Sequence, residues 1–298
     1  MTRSLPHALL IVAFGCGGGA SAPPDGDGGV TCATLPALPL VATLIQGAPS
    51  SEDFTFDLDG YLVALSGARS VVRLAAGGSA ELVFPNVVAN GRGMRTLPGG
   101  DLVVGDEARS LVVRVDRSGD VRRLTTAVSN PNGVELGPGG QLYATDFGNG
   151  GIYRIDPDNG TATMVAMAAP GVNGLTFARD YRALLVADHD TGILYTLDLA
   201  SDGVLQPPRE LARGLGRPDG LTTDECGNVY AASWDQKVYR VTPAGQVDVV
   251  ADLGATISAV HFGSGRQGWA ERSLYAMNIQ SGGVYEIKIG VRAAPPPL

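Results

Sequence analysis

Charge is what this chain has least of. Asp, Glu, Lys and Arg make up 17% of its 298 residues, against about 25% in an ordinary soluble domain. The scarcer sign is positive, 22 basic against 30 acidic side chains for a formal net charge of −8. That balance argues against a nucleic-acid partner, whose phosphates need a basic face. Only three histidines occur, with no paired His motif, so a zinc centre suits the chain poorly. No Gly-x-Ser-x-Gly elbow is present, which argues against a serine hydrolase. Long helix-period stretches are missing too, so bundles and doubly wound folds fit badly. No aromatic cluster or loop insertion marks a protein interface, and a monomer is expected.

What remains is turn-rich and of near-ordinary hydrophobicity. The apolar share is 44%, with 42 glycines and 19 prolines. Glycine at roughly twice its usual share, with enough apolar residues for a core, means many short strands.

The ends differ from the middle. Arg3, the apolar run Leu9 to Phe14, and Gly15-Cys16 read as an export signal over residues 1–16, too short to span a bilayer. Cysteine after a small residue resembles a bacterial lipobox, which implies lipidation at Cys16 and an envelope lipoprotein anchored to the membrane by lipid alone. Ala13 and Phe14 depart from that pattern, and plain secretion to the periplasm or beyond is the alternative. Residues 17–38 are expected to be a flexible tether, 39–291 the folded domain, and 292–298 a disordered tail. Export permits a Cys32–Cys226 disulfide; the sequence leaves that pairing open, because it gives no distance.

Sliding the chain against itself gives six copies of one unit, beginning at Glu52, Arg92, Asn132, Asn173, Asp219 and Ser258, at intervals of 40, 40, 41, 46 and 39 residues. Each reads as three short strands and a more variable fourth. Four strands per about 40–45 residues is the signature of a propeller blade, so the expected fold is an all-β, six-bladed β-propeller. A leftover strand near Leu40 to Ile45 is expected to pair into the last blade and close the ring. Two literal motifs carry nothing. Gly263 to Gly268 fits G-x-G-x-x-G but precedes a strand, and Trp234-Asp235 is a lone WD dipeptide.

Alignment lets each structural position be read six times. Two residues into the unit stand Phe54, Met94, Val134, Leu175, Leu221 and Val260, expected between blades. One residue in is mostly Gly or Ala, as a narrow channel demands. Three in are Thr55, Arg95, Glu135, Thr176, Thr222 and His261, expected to line that channel. The unit's first residues sit at the channel mouth. Among them Glu52, Asn132, Asn173 and Asp219 supply two carboxylates and two amide carbonyls, a set suited to a hard divalent cation such as Ca²⁺. Asn-Gly and Asp-Gly are also turn formers, which is the competing explanation.

PNGVELGPGGQLYATD, VNGLTFARDYRALLVAD and RPDGLTTDECGNVYAAS resemble the senescence marker protein/gluconolactonase family, whose superfamily includes diisopropyl fluorophosphatase and the paraoxonases. The resemblance covers roughly residues 40–290. It implies one divalent cation, commonly Ca²⁺, held by Glu52, Asn132, Asn173 and Asp219. It also implies His261 near the metal, as in the fluorophosphatase. Where gluconolactonases grip a sugar acid with Arg, this chain has Asn130, and GNGG (Gly148 to Gly151) replaces an acidic loop residue. The expected activity is therefore hydrolysis of a small lactone or related ester. Asp219 and His261 are the candidate catalytic residues, and Arg92 and Asn132 the candidate substrate contacts. Salt bridging of Arg92 to Asp106 or another neighbour is the plainer expectation, as is pairing of Arg95 with Glu135. Phosphotriester hydrolysis at the same site, kept open by His261, is one alternative. A non-catalytic tethered propeller with structural Ca²⁺ is the other.

Overall fold

The computed structural model describes residues 31–200 and 203–296. The expected signal, Cys16 and most of the tether lie outside them. Six four-stranded antiparallel sheets follow one another along the chain. Helix is confined, among the described residues, to 3-10 turns at Glu107–Arg109 and Pro138–Gly140. The innermost strands of blades 1 to 6 are Phe54–Phe56, Gly91–Thr96, Pro131–Leu136, Val172–Phe177, Pro218–Thr223 and Ile257–Phe262. This is the expected six-bladed β-propeller.

Period-two alternation builds the core. Leu142 and Ala144 face the junction of blades 2 and 3 while Tyr143 faces that of blades 3 and 4. Likewise Leu62 and Ala64 pack towards blade 6, and Val63 and Leu65 towards blade 2. One apolar cluster fills each of the six junctions. A blade sheet thus buries both faces, which explains near-continuous apolar runs such as Leu102–Asp106. Phe54, Met94, Val134, Leu175, Leu221 and Val260 are each 1% exposed or less.

The ring closes as expected. Ala42–Ile45 pairs antiparallel with Val284–Lys288 and becomes the outer strand of blade 6. Cys32 and Cys226 are joined, with Cα atoms 5.3 Å apart. Two expectations change here. Residues 31–38 are not all tether: Leu35 and Leu38 pack on the blade 5–6 cluster, because an apolar pair beside a cross-link has surface to bury. Residues 292–295 are not a free tail: Glu225 N–H donates to Arg292 O, Ala294 N–H to Thr223 O, and Tyr181 Oη to Pro295 O. Those bonds tie the segment to the turn between the first two strands of blade 5 and to the corresponding turn of blade 4.

Candidate metal centre

The first residues of the repeat lie in backbone irregularities rather than in regular strand. In blades 2 to 5 the pairing register shifts across Arg92-Gly93, Asn132-Gly133, Asn173-Gly174 and Asp219-Gly220. Each pair opposes a single residue of the second strand, the definition of a β-bulge, which re-aims a side chain out of the pleat. The glycine lets neighbouring blades touch. A Cβ on Gly174 would lie 2.0 Å from Asp219 O, and one on Gly93 2.2 Å from Asn132 O.

The bulges bring Asn132, Asn173 and Asp219, and the segment before Phe54–Phe56 brings Glu52, to one small cavity of about 20 Å³, room for one water-sized body. Asn173 and Asp219 are 3% exposed and Asn132 9%. Among the described residues, neither asparagine has a side-chain hydrogen bond. Glu52 Oε2 is sealed and without a hydrogen bond, although Arg92 Nη1 lies 3.2 Å away. Trp234 Nε1 donates to Asp219 Oδ2 at 2.7 Å.

Electrostatics follow from that enclosure. Burial pushes the Asp219 carboxyl well above its ordinary range, the nearby Glu52 charge adds to this, and the Trp234 hydrogen bond opposes it. Burial also raises Glu52, partly offset by Arg92 and reinforced by Asp53. Two buried carboxylates, two unpartnered amides and a cavity of one-ion size fit a hard divalent cation. Among the described residues no group of three or more His, Cys, Asp and Glu is placed to hold a metal ion, so the neutral amides are essential to any such site.

A second charged set borders the same cavity through Asp53 and Arg95 and continues along the channel. Arg95 Nη1 donates to Asp53 Oδ2 at 2.9 Å and Nη2 to Glu135 Oε2 at 3.2 Å. His261 Nε2 is 2.9 Å from Asp53 Oδ1. Burial would raise Asp53, but Arg95 and His261 outweigh it and hold its pKa at about 2. His261, expected beside the cation, is instead engaged by Asp53. It lines a separate cavity with Glu135, Thr176, Thr222 and Ala294. The reason is its place in the repeat: three residues along the inner strand is deeper than the mouth.

The pairing of Arg95 with Glu135 is found, with Asp53 as an unforeseen third member. Arg92 bridges Glu52 and Glu107 rather than Asp106. The second-strand ends Asp106, Asp146, Asp188 and Asn278 accept loop N–H groups and hold the rim. Residue-by-residue reading missed Asp53, Glu107 and Trp234. Asp53 did carry a signal, as an acid where the other blades have Gly or Ala. On the blade 4–5 side of the mouth, His189 and Trp234 meet edge to face at 4.9 Å. Burial and Arg217 lower the His189 pKa.

Comparison with known proteins adds four findings. A family model, the SMP-30/Gluconolactonase/LRE-like region, matches residues 66–275. A lactonase of Staphylococcus epidermidis is 31% identical over 92 residues, a match covering 29% of this chain and 28% of that protein. A gluconolactonase from Xanthomonas campestris superposes with TM-score 0.71 at 20% identity, covering 83% of this chain and 90% of that one. Regucalcin, a calcium-binding protein from Agrobacterium tumefaciens, does so with TM-score 0.69 at 17% identity, covering 87% and 97%. At these identities the structural neighbours show the fold alone.

Proposed function

The chain belongs to the SMP-30/gluconolactonase/LRE-like family, and on that premise we propose that it is a divalent-cation-dependent hydrolase of a lactone or related ester. The observation that carries this reading is the convergence of Glu52, Asn132, Asn173 and Asp219 on one ion-sized cavity, with a sealed carboxylate oxygen of Glu52 that accepts no hydrogen bond and has only the Arg92 ion pair. All four would hold the cation, and an all-oxygen set favours Ca²⁺. The family and the lactonase relative support the reaction class. Asn130 and the GNGG loop, in place of a sugar-gripping Arg and an acid, point away from a sugar acid as substrate. The Cys32–Cys226 bond supports the export expected from residues 1–16, since such bonds persist in oxidising compartments.

When bound, the cation would polarise the substrate carbonyl and offset charge developing on its oxygen. The chain's own part is proton handling and orientation. The Trp234 hydrogen bond to Oδ2 fixes the plane of the Asp219 carboxylate. Burial raises this carboxyl in the cation-free site and a bound cation would lower it again, so its proton handling would rest on a carboxylate oxygen that the cation leaves free. Water oxygen bonds to the carbonyl carbon, the ring C–O bond breaks, and the proton held by Asp219 goes to the departing alkoxide. With His261 committed to Asp53, nothing in the geometry favours phosphotriesters over carboxylic esters.

Calorimetric titration of Ca²⁺ into the chelator-stripped chain, beside Glu52→Gln and Asp219→Asn, tests the centre. One site in the wild type, weakened at least tenfold by either change, is expected. Binding indifferent to both changes would sink the reading and leave a propeller without this centre. A lactone panel on the loaded protein then separates a hydrolase from a scaffold with structural Ca²⁺.

A further inference from the structure

Glu52 is contested between cations. Its Oε2 is sealed from solvent and makes no hydrogen bond, and its recorded ion-pair partner is Arg92, with Nη1 at 3.2 Å. Arg92 is not committed to it. Its Nε and Nη2 both donate to Glu107 Oε2, at 3.1 and 2.8 Å. Asn90 Nδ2 donates to that same oxygen at 2.6 Å and steadies it. The Glu52 side chain is 8% exposed and that of Glu107 31%, so Arg92 hangs between a buried carboxylate and a half-open one. Losing Glu52 would leave both bonds to Glu107 in place.

From this we infer that Arg92 is a built-in competitor of the cation. It neutralises Glu52 while the site is empty and is displaced when the cation arrives, staying tethered at the mouth by Glu107. This rests on the metal centre proposed above. The physical cause is direct: a dication at Glu52 and a guanidinium on the same carboxylate repel each other in a poorly screened site. Displacement frees Nη1 into the mouth pocket lined by Ser50, Glu52, Gly67, Ala68 and Ile279. Gly67 and Ala68 leave space there, and the donor that enters it is cationic. The substrate class follows: an ester or lactone that carries a carboxylate on the side facing blades 1, 2 and 6. Coupling of this kind is reciprocal, so a carboxylate on Arg92 tightens the cation by drawing the guanidinium off Glu52.

The test is calorimetric titration of Ca²⁺ into chelator-stripped wild type, Arg92→Met and Arg92→Gln, each with and without acetate as the carboxylate probe. Both variants are expected to bind Ca²⁺ about tenfold more tightly than wild type. Acetate is expected to tighten Ca²⁺ binding in the wild type and to leave the variants unmoved. Unchanged or weaker binding in the variants means that Arg92 positions Glu52 or is neutral, and overturns the inference. Absence of an acetate effect in the wild type overturns the carboxylate assignment. If wild type binds no Ca²⁺ at all, the metal centre itself fails, a result distinct from the others. Far-UV circular dichroism checks folding; should Arg92→Met not fold, Arg92→Gln decides.

Discussion

Asp219 stands under two opposed demands. As a buried carboxylate near Glu52 it destabilises an empty site, and as a proposed donor it is what would make the site bind a cation. Because its folded-state pKa is raised, the native state holds more protons than the unfolded state above the ordinary carboxylate range. Stability of the stripped protein therefore falls as pH rises from about 4 through that raised value. Cation binding needs the deprotonated form, so its stabilising effect grows over the same range. Asp219→Asn removes the conflict along with one proposed donor to the cation. In chelator, this variant is expected to melt about 2–4 °C above wild type at pH 7, to show a flatter pH profile, and to gain nothing from Ca²⁺. A lower melting temperature in thermal denaturation would mean that the Trp234 hydrogen bond outweighs the charge cost. Four of the cavity's polar residues were legible because the repeat aligns them. Trp234 was not, since its role depends on a contact across the blade, to Asp219 on the neighbouring strand, that no local pattern encodes.

A bulge is the element that turns a strand end into a donor. Asn173-Gly174 and Asp219-Gly220 each oppose one residue of the next strand, and the glycine brings the carbonyl of the following blade within contact. Gly174→Ala would set a Cβ 2.0 Å from Asp219 O, a backbone atom that cannot step aside. The expected result is a loss of about 3 kcal/mol in urea denaturation, with Ca²⁺ binding lost because the Asp219 backbone must shift. Gly99→Ala serves as the control: its Cβ meets nothing within 4 Å, and both stability and binding should be retained. Equal behaviour of the two variants would show that the close approach does not matter. Strand and blade boundaries were readable because period-two alternation feeds alternate residues to alternate junctions, as Leu142, Tyr143 and Ala144 do. The bulges were visible only as recurring Asn-Gly and Asp-Gly pairs, which serve equally as turns; register decides between the two, and register is a property of the paired strand.

At the scale of the whole molecule, the ring has one seam. Five blades are each continuous in sequence, whereas blade 6 borrows its outer strand, Ala42–Ile45, from the other end of the chain. That strand is only four residues long and half-buried at best, so its pairing alone holds the seam weakly. The leftover strand predicted the closure. The cross-link was not predictable, because only the folded ring brings Cys32 to within 5.3 Å of Cys226. Leu35, Leu38 and Leu40 pack on the apolar cluster between blades 5 and 6, and Leu40 N–H donates to Val250 O, so the cross-link anchors the closing strand to blade 5 as well as blade 6. With the cysteines 194 positions apart in sequence, the chain-entropy argument allows up to about 5 kcal/mol of stabilisation, and measured cases run nearer 2–4. Cys226→Ser is therefore expected to lower stability by about 2–4 kcal/mol. The loss should begin at the seam: amide exchange at Ala42–Ile45 and the paired Val284–Lys288 should quicken first, before the inner strands that carry Asn132, Asn173 and Asp219. Ca²⁺ affinity should stay unchanged at temperatures where the ring remains closed. Uniform quickening across all six blades would show instead that the propeller opens as one unit and that the bond acts on the unfolded chain alone.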